Sequence, residues 1–406
     1  MLGRVLNTHQ QWLCRAISDE GYEVARQTAI ADEGTAIINV VKEAIQRSEL
    51  IITTGGLGPT SDDITRTLLA ELFGLPLHQD AAALRNIVDF FATRKKQVPA
   101  GNDIQAEVPE GATVFYNRHG TAPGLAIPGN AKIGGKLQWL IMLPGPPREL
   151  HPMFREQALP FIQKQFPLTL PFYCETYRTT GIGESQAQEL IAQPLSEWVA
   201  KGVEVGYCAH VGAVDVRIAV RNEQGKGLLQ GAGKILEELL APWLYGKEDE
   251  LLENVIVRLL TNRKKTLALA ESCTGGYISH RITNVPGSSD IYLGGVNCYS
   301  NEFKINMLHV SPETLAKHGA VSGEVAEEMV KGLLQATGAE FGLSVTGIAG
   351  PGGGTESKPI GTVYIALGTL QKVFVMHYVN RYERVTFKSV TSQQALEMLR
   401  RELIAG

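Results

Sequence analysis

The sequence predicts an α/β protein: two three-layer α/β domains joined by a small α+β module. Three observations predict it. Short apolar, strand-like runs repeatedly give way to glycine- or proline-rich loops and then to helical periodicity. Glycine is in surplus, 43 of 406 residues, or about 11% against a typical value of about 7%, and it gathers where those runs end. Two seams of proline and charge, Gln165-Phe-Pro-Leu-Thr-Leu-Pro171 and Tyr245-Gly-Lys-Glu-Asp-Glu250, divide the chain. The expected parts are 1–165, 166–247 and 248–406.

The elements follow in order. Asn7 is placed to cap a helix with Trp12, Leu13, Ala16 and Ile17 on one face. Leu50-Ile-Ile-Thr-Thr54 reads as a buried strand running into Gly-Gly-Leu-Gly, and Leu137-Gln-Trp-Leu-Ile-Met-Leu143 as another running into Pro144-Gly-Pro-Pro147. The middle part carries strand patterns at Glu204-Val-Gly-Tyr-Cys208 and, with clean alternation, at Ala213-Val-Asp-Val-Arg-Ile-Ala-Val220. In the third part, Thr266-Leu-Ala-Leu-Ala270 enters Glu271-Ser-Cys-Thr-Gly-Gly276. Ile291-Tyr-Leu-Gly-Gly-Val-Asn-Cys-Tyr299 enters a helix starting near Ser300 or Asn301. Phe341-Gly-Leu-Ser-Val345 enters a glycine-rich loop, and Gly361-Thr-Val-Tyr-Ile-Ala-Leu367 is a further strand. The chain closes on a helix through Ala395, Leu396, Met398 and Leu399.

Composition narrows the function classes. Hydrophobic residues at 44% and charged residues at 20% make an ordinary globular chain. A net charge of −4 gives no basic footprint for nucleic acid. No apolar run reaches the roughly 18 residues of a membrane span, and the stretch from Met1 to Asn7 lacks the apolar core of a signal peptide. Five scattered cysteines, none in Cys-x-x-Cys, suit reduced thiols and a cytoplasmic protein.

Several loops carry chemistry. In Thr53-Thr-Gly-Gly-Leu-Gly-Pro-Thr-Ser-Asp-Asp63, glycines Gly55, Gly56 and Gly58 bring backbone N–H groups toward a phosphate, with Thr60 beside them. Asp62 and Asp63 would open the next helix, either holding a divalent cation or simply capping it. Arg148 in the proline loop would reach an anion or remain solvated. Ser272 stands in a strand-to-helix turn flanked by backbone donors, and Lys304 follows the next strand. A buried lysine loses basicity and can take a proton from a serine hydroxyl, so a Ser/Lys pair needs no histidine. Ser288-Ser289 is a rival nucleophile, and a turn residue for Ser272 or a solvated Lys304 is the plainer alternative. The loop Thr346-Gly-Ile-Ala-Gly-Pro-Gly-Gly-Gly354 suits a phosphate or an oxyanion, with Lys358, Arg381 and Arg384 further on to supply charge.

Taken in order, Ala270-Glu-Ser-Cys-Thr-Gly-Gly276, Val285-Pro-Gly-Ser-Ser289, Tyr299-Ser-Asn-Glu-Phe-Lys304, His318-Gly-Ala-Val-Ser322, Val345-Thr-Gly-Ile-Ala-Gly-Pro351 and Lys358-Pro-Ile-Gly-Thr-Val363 resemble the C-terminal domain of the CinA family. Residues 53–63, Gly120-Thr-Ala-Pro-Gly124 and 143–150 resemble that family's N-terminal domain of molybdopterin-binding type. The resemblance implies an amidohydrolase that converts nicotinamide mononucleotide to nicotinate mononucleotide and ammonia, for pyridine-nucleotide salvage, with no cofactor required. It implies Ser272 as nucleophile, Lys304 as base, Tyr299 as a catalytic partner, and Ser289, Thr346, Gly275, Gly276, Gly347, Gly350 and Arg381 against the substrate. For the N-terminal domain it implies ADP-ribose hydrolysis with a divalent metal near Asp62 and Asp63, and potassium.

This sequence departs from the family pattern in places. A leading strand with a Gly-Thr-Glu loop is expected to be missing before Leu2. Basic residues beside Asn102 are replaced by Asp103 and Ile104. A usual Gly-Asp-Arg is Asn380-Arg381-Tyr382, which offers Arg381 one position early. The leading expectation is a cytoplasmic homo-oligomer, as a dimer, acting on a small nucleotide through its C-terminal domain, without membrane or nucleic-acid partners. The alternatives are an N-terminal ADP-ribose pyrophosphatase, or a non-catalytic nucleotide- or pterin-binding regulator connected with competence.

Overall fold

A computed structural model describes residues 7–129 and 135–405. The expected loss of a leading strand concerns the segment at residues 1–6, outside the described residues. The chain forms two compact units, Met1–Phe172 and Tyr173–Gly406.

The first unit contains β1 (Leu50–Thr54), β2 (Leu77–Gln79), β3 (Glu107–Pro109), β4 (Thr113–Phe115), β5 (Gly124–Pro128) and β6 (Trp139–Leu143). The main sheet runs β1-β6-β5-β4, with β1 and β6 parallel, and β2 pairs with β3 as a separate ribbon. Strand β6 shows why the sheet has helices on both faces. Its side chains alternate: Leu140 and Met142 pack with Ile37, Val41, Ile45, Leu69 and Phe73, while Ile141 and Leu143 pack with Leu13, Leu150 and Phe154. A strand buried on both faces reads as an unbroken apolar run, which is how it is legible in the sequence. Asn7 caps the helix Thr8–Asp19 by accepting from the Gln10 N–H at 3.3 Å.

The second unit opens with an antiparallel sheet of β7 (Phe172–Thr180), β8 (Val203–His210), β9 (Ala213–Arg221) and β10 (Leu244–Lys247) in the order β10-β7-β9-β8. Helices Glu184–Ala192 and Gly225–Leu240 cover it through Ile191, Leu229, Leu236 and Leu240. Strand β7 carries no strand pattern singled out in the sequence, and β10 falls where the sequence suggests a seam. The seam at Tyr245 begins inside β10.

The remainder holds β11 (Leu267–Glu271), β12 (Tyr292–Asn297), β13 (Phe341–Gly347), β14 (Thr362–Gly368) and β15 (Val373–Val379) in the order β12-β11-β13-β14-β15. Strand β11 is central and parallel to both neighbours, while β14 and β15 are antiparallel. Leu267 and Leu269 of β11 face the last helix, Arg384–Ala405, whereas Ala268 and Ala270 face helix Gly323–Thr337. Helices therefore cover both faces, as a three-layer domain requires. Because β11, β12 and β13 run in one direction, the loops at their carboxyl ends emerge along the same edge, where ligands of open α/β sheets bind.

The last helix also reaches the α+β module. Arg400 donates to the Leu244 carbonyl at 3.1 Å and Arg401 to the Pro242 carbonyl at 3.3 Å. Arg281 joins Glu253 at 2.7 Å and also donates to Ser392 and Gln393.

Candidate active site

Each carboxyl end of the parallel strands delivers one part of the site. Strand β11 ends at Glu271, and Ser272 begins the turn that follows, its N–H donating to the Val345 carbonyl of β13 at 3.0 Å. The turn closes through Gly275 and Gly276, at φ of 59° and 90°, a left-handed region costly for any residue with a Cβ. Glu271 then fixes the turn from the other side. Its carboxylate accepts from the Ile278 and Ser279 N–H groups at 3.0 and 2.8 Å, capping helix Tyr277–Thr283.

Strand β12 delivers the lysine. The Cys298 N–H bonds to the Glu271 carbonyl at 2.9 Å, so the end of β12 is held beside the end of β11. Ser300 caps helix Asn301–Leu308 by accepting from the Phe303 N–H at 3.1 Å. Lys304, one turn into that helix, points back inward. Its Nζ lies 3.1 Å from Ser272 Oγ, 2.8 Å from the Cys298 carbonyl and 3.3 Å from the Tyr299 carbonyl. Lys304 is only 1% exposed, and among the described residues no carboxylate lies within ion-pair distance of it. Burial without a counter-ion disfavours the charged form, so desolvation holds the Lys304 ammonium below its ordinary value of 10.5.

The site also contains two thiols. Burial pushes Cys273 up to about 12 and Cys298 up to about 11, so both remain neutral at pH 7 and neither competes with Ser272 as nucleophile. Among the described residues, the N–H groups of Cys273 and Thr274 donate to no backbone carbonyl. The Thr274 hydroxyl is buried without a hydrogen-bond partner.

The other predicted residues divide into those at this edge and those beside it. Tyr299 is 65% exposed and accepts at its hydroxyl from Arg384 Nη2 at 2.7 Å. Arg384 Nη1 donates to the Gly350 carbonyl at 2.8 Å, so this guanidinium ties the loop before the lysine helix to the glycine-rich loop after β13. Thr346 is buried, its hydroxyl donating to the Ala320 carbonyl at 2.7 Å. Gly347 ends β13, where a Cβ would stand 2.8 Å from the Thr362 carbonyl oxygen. Ser289 lies exposed in the short turn Ser288–Asp290, and among the described residues no hydrogen bond joins it to Ser272 or Lys304. Arg381, the expected cation, lines an open depression with Glu356, Ile360 and Tyr382. Arg384 is thus the arginine that touches Tyr299 and Gly350. Lys388 follows one turn later with its Nζ 3.7 Å from the place of a Gly275 Cβ.

In the N-terminal domain, Gly55 and Gly56 take positive φ at the end of β1. Asp62 and Asp63 do not lie in the helix that follows, Thr65–Phe73; they close the preceding loop. Asp63 Oδ2 accepts from both the N–H and the hydroxyl of Thr60 and fills the space a side chain at Gly58 would need. Hydrogen bonding to Thr60 lowers Asp62. The described residues contain no cluster of three or more histidine, cysteine, aspartate or glutamate side chains able to hold a metal ion. With Asp63 committed to Thr60, this pair does not make a pre-formed divalent-metal site, and no metal-dependent step is derived from it. The loop instead adjoins a cation: Arg66 is 2% exposed, and its Nε is buried without a hydrogen-bond partner, as is the Thr53 hydroxyl. No helix among the described residues is long and apolar enough to cross a membrane.

Comparison with known proteins adds the following. Residues 249–403 match the family model described as the CinA C-terminal domain, residues 175–246 the damage-inducible protein CinA KH domain, and residues 1–164 the probable molybdopterin binding domain. A protein of Caldicellulosiruptor bescii named for competence-damage induction is 40% identical over 414 aligned positions, covering 100% of this chain and 97% of its own. A CinA-like protein of Kosmotoga olearia is 39% identical, covering 100% of this chain and 96% of its own. Among solved structures, a competence/damage inducible protein from Agrobacterium tumefaciens is 40% identical over 37% of this chain and 93% of its own, with a TM-score of 0.36. A CinA superfamily protein from Klebsiella pneumoniae is 32% identical over 38% of this chain and 97% of its own, with a TM-score of 0.37.

Proposed function

The chain belongs to the CinA family, and from that premise we propose that its C-terminal domain is a Ser/Lys amidohydrolase acting on the carboxamide of nicotinamide mononucleotide. One observation carries the reading: a buried lysine without a counter-ion, its Nζ 3.1 Å from the hydroxyl of Ser272 in a strand-to-helix turn. Neutral Lys304 accepts the Ser272 proton as Oγ attacks the carboxamide carbon. In this reading the N–H groups of Cys273 and Thr274, which donate to no backbone carbonyl among the described residues, receive the developing oxyanion. Lys304 then gives its proton to the departing nitrogen, and ammonia leaves an acyl-Ser272 ester. Water, losing a proton to Lys304, attacks the ester and releases the carboxylate, and Ser272 recovers its proton. The Cys298 and Tyr299 carbonyls hold the amine in line throughout.

Ammonia release from nicotinamide mononucleotide by the full chain tests this. Ser272→Ala is expected to lose at least about a thousandfold in kcat, within the range of removed nucleophiles. Retention of activity would transfer the role away from Ser272, with Ser289 the next residue to examine.

A second reading applies to the N-terminal domain, which we take to bind an anionic nucleotide or pterin ligand at the loop after β1. Arg66 favours it, because a buried guanidinium whose Nε lacks a hydrogen-bond acceptor, even beside the charges of Glu107 and Asp63, invites an anion.

A further inference from the structure

We propose that Lys388, acting with Arg384, seats the phosphomonoester of the substrate and thereby selects a nucleotide over its nucleoside; this rests on the amidohydrolase reading of the same site. Both residues lie in the opening turns of helix Arg384–Ala405, four positions apart and hence on one face. Arg384 reaches Tyr299 and Gly350 with one nitrogen each. The Lys388 ammonium stands over the turn that follows Ser272, 3.7 Å from the place of a Gly275 Cβ and 5.9 Å from the centre of the Tyr277 ring. Among the described residues it has no ion-pair or hydrogen-bond partner.

The neighbouring carboxylates are committed elsewhere. Glu271 caps the helix after the turn, and Glu383 accepts from the Val385 and Thr386 N–H groups. Among the described residues no carboxylate is in ion-pair contact with either cation, and like charges four positions apart on one helix face repel. A phosphomonoester answers that arrangement. It carries close to two negative charges at pH 7 and offers three acceptor oxygens, enough for a lysine point charge and the N–H groups of Arg384 that Tyr299 and Gly350 leave over. The matching nucleoside lacks the phosphate and carries only the positive charge of its pyridinium ring, so it gains nothing from either cation. Gly275 has no side chain between the ammonium and the turn, so the approach is open.

The test uses the full chain as wild type, Lys388→Met, Lys388→Gln, Lys388→Arg and, as a control, Lys372→Met, whose lysine pairs with Glu402 elsewhere in the domain. Two quantities are read. One is the ratio of kcat/KM for nicotinamide mononucleotide to that for nicotinamide riboside. The other is affinity for inorganic phosphate by calorimetry, which needs no turnover. Lys388→Met and Lys388→Gln are expected to lower both about 10- to 100-fold, the range of one charge-assisted hydrogen bond. Lys388→Arg should retain most of both, and Lys372→Met should leave both unchanged. Wild-type ratio and phosphate affinity in folded Lys388→Gln would overturn the proposal. Absence of amide hydrolysis by wild type, with phosphate affinity still lost in Lys388→Gln, would refute the amidohydrolase reading and leave the anion seat standing.

Discussion

The basicity of Lys304 is the most demanding test of the site. A lysine at its ordinary value of 10.5 would be neutral in only about 3 of 10⁴ molecules at pH 7, and each unit of depression raises that fraction tenfold, worth about 1.4 kcal/mol. The geometry supplies depression through 1% exposure with no carboxylate within ion-pair reach, and this desolvation outweighs the two carbonyl acceptors, which favour the charged form. The rate of amide hydrolysis should therefore climb with pH along a single-proton acid limb and level off at a midpoint below 10.5. Lys304→Arg keeps the cation but cannot lose its proton near neutrality, so it is expected to lose about 10²–10⁴-fold in kcat, or roughly 3–5 kcal/mol of barrier. The assay is ammonia release against pH for both proteins. An acid limb with its midpoint at or above 10.5, or a Lys304→Arg enzyme within tenfold of wild type, would refute the argument. The same shift has a stability consequence of defined sign. Between the depressed folded value and 10.5, the unfolded chain holds a proton that the folded chain has released. Stability of this domain therefore rises with pH across that window, and the cost of burying the ammonium is present in full below it.

Two further predictions concern packing. Helix Gly323–Thr337 crosses the lysine helix at Gly332, where a Cβ would stand 1.8 Å from the Leu308 carbonyl oxygen. Gly332→Ala is expected to cost about 1–3 kcal/mol by overpacking and to lower kcat by displacing Lys304, read by thermal melting and turnover; unchanged melting would refute it. Arg66→Met removes a buried guanidinium whose Nε has no hydrogen-bond partner and whose desolvation outweighs the attraction of Glu107 and Asp63, so unliganded protein should melt a few degrees higher, about 2–4 °C per kcal/mol gained. A lower melting temperature would mean that Arg66 is already satisfied.

Legibility in the sequence followed local pattern. The apolar runs at β6, β11 and β13 are read from sequence because a strand buried on both faces needs no partner to explain its composition, and the half-buried β1 is read from its run of Leu and Ile. Ser272 is legible because it directly follows such a run and Lys304 because it stands one turn into the helix after the next strand, but their pairing depends on β11 and β12 lying side by side, a non-local fact. Strands β7, β10 and β15 are weaker signals. In β15 the residues Phe374, Met376 and Val379 are each more than 40% exposed, so the edge strand lacks the burial that makes the others clear. The arginine is the instructive displacement. A motif comparison favours Arg381, whereas Arg384 makes the contacts. The missing step is locating the helix start: Glu383 accepts from the N–H groups of Val385 and Thr386. An acidic residue ahead of a helix is a readable start signal. Applied here, it would have placed Arg384 and Lys388 on one face.

The last helix joins distant tasks in one rod. Its 22 residues span about 33 Å at the standard rise per residue. One end presents Arg384 and Lys388; near the other, Arg400 and Arg401 grip the Leu244 and Pro242 carbonyls of the α+β module. The module therefore acts as an anchorage for the rod. Exchanging it for that of a relative would alter the mooring of Arg384 while leaving every residue of the catalytic domain unchanged. Chimeras cut at the seam near residue 248 should then differ in substrate affinity even when their active sites are identical.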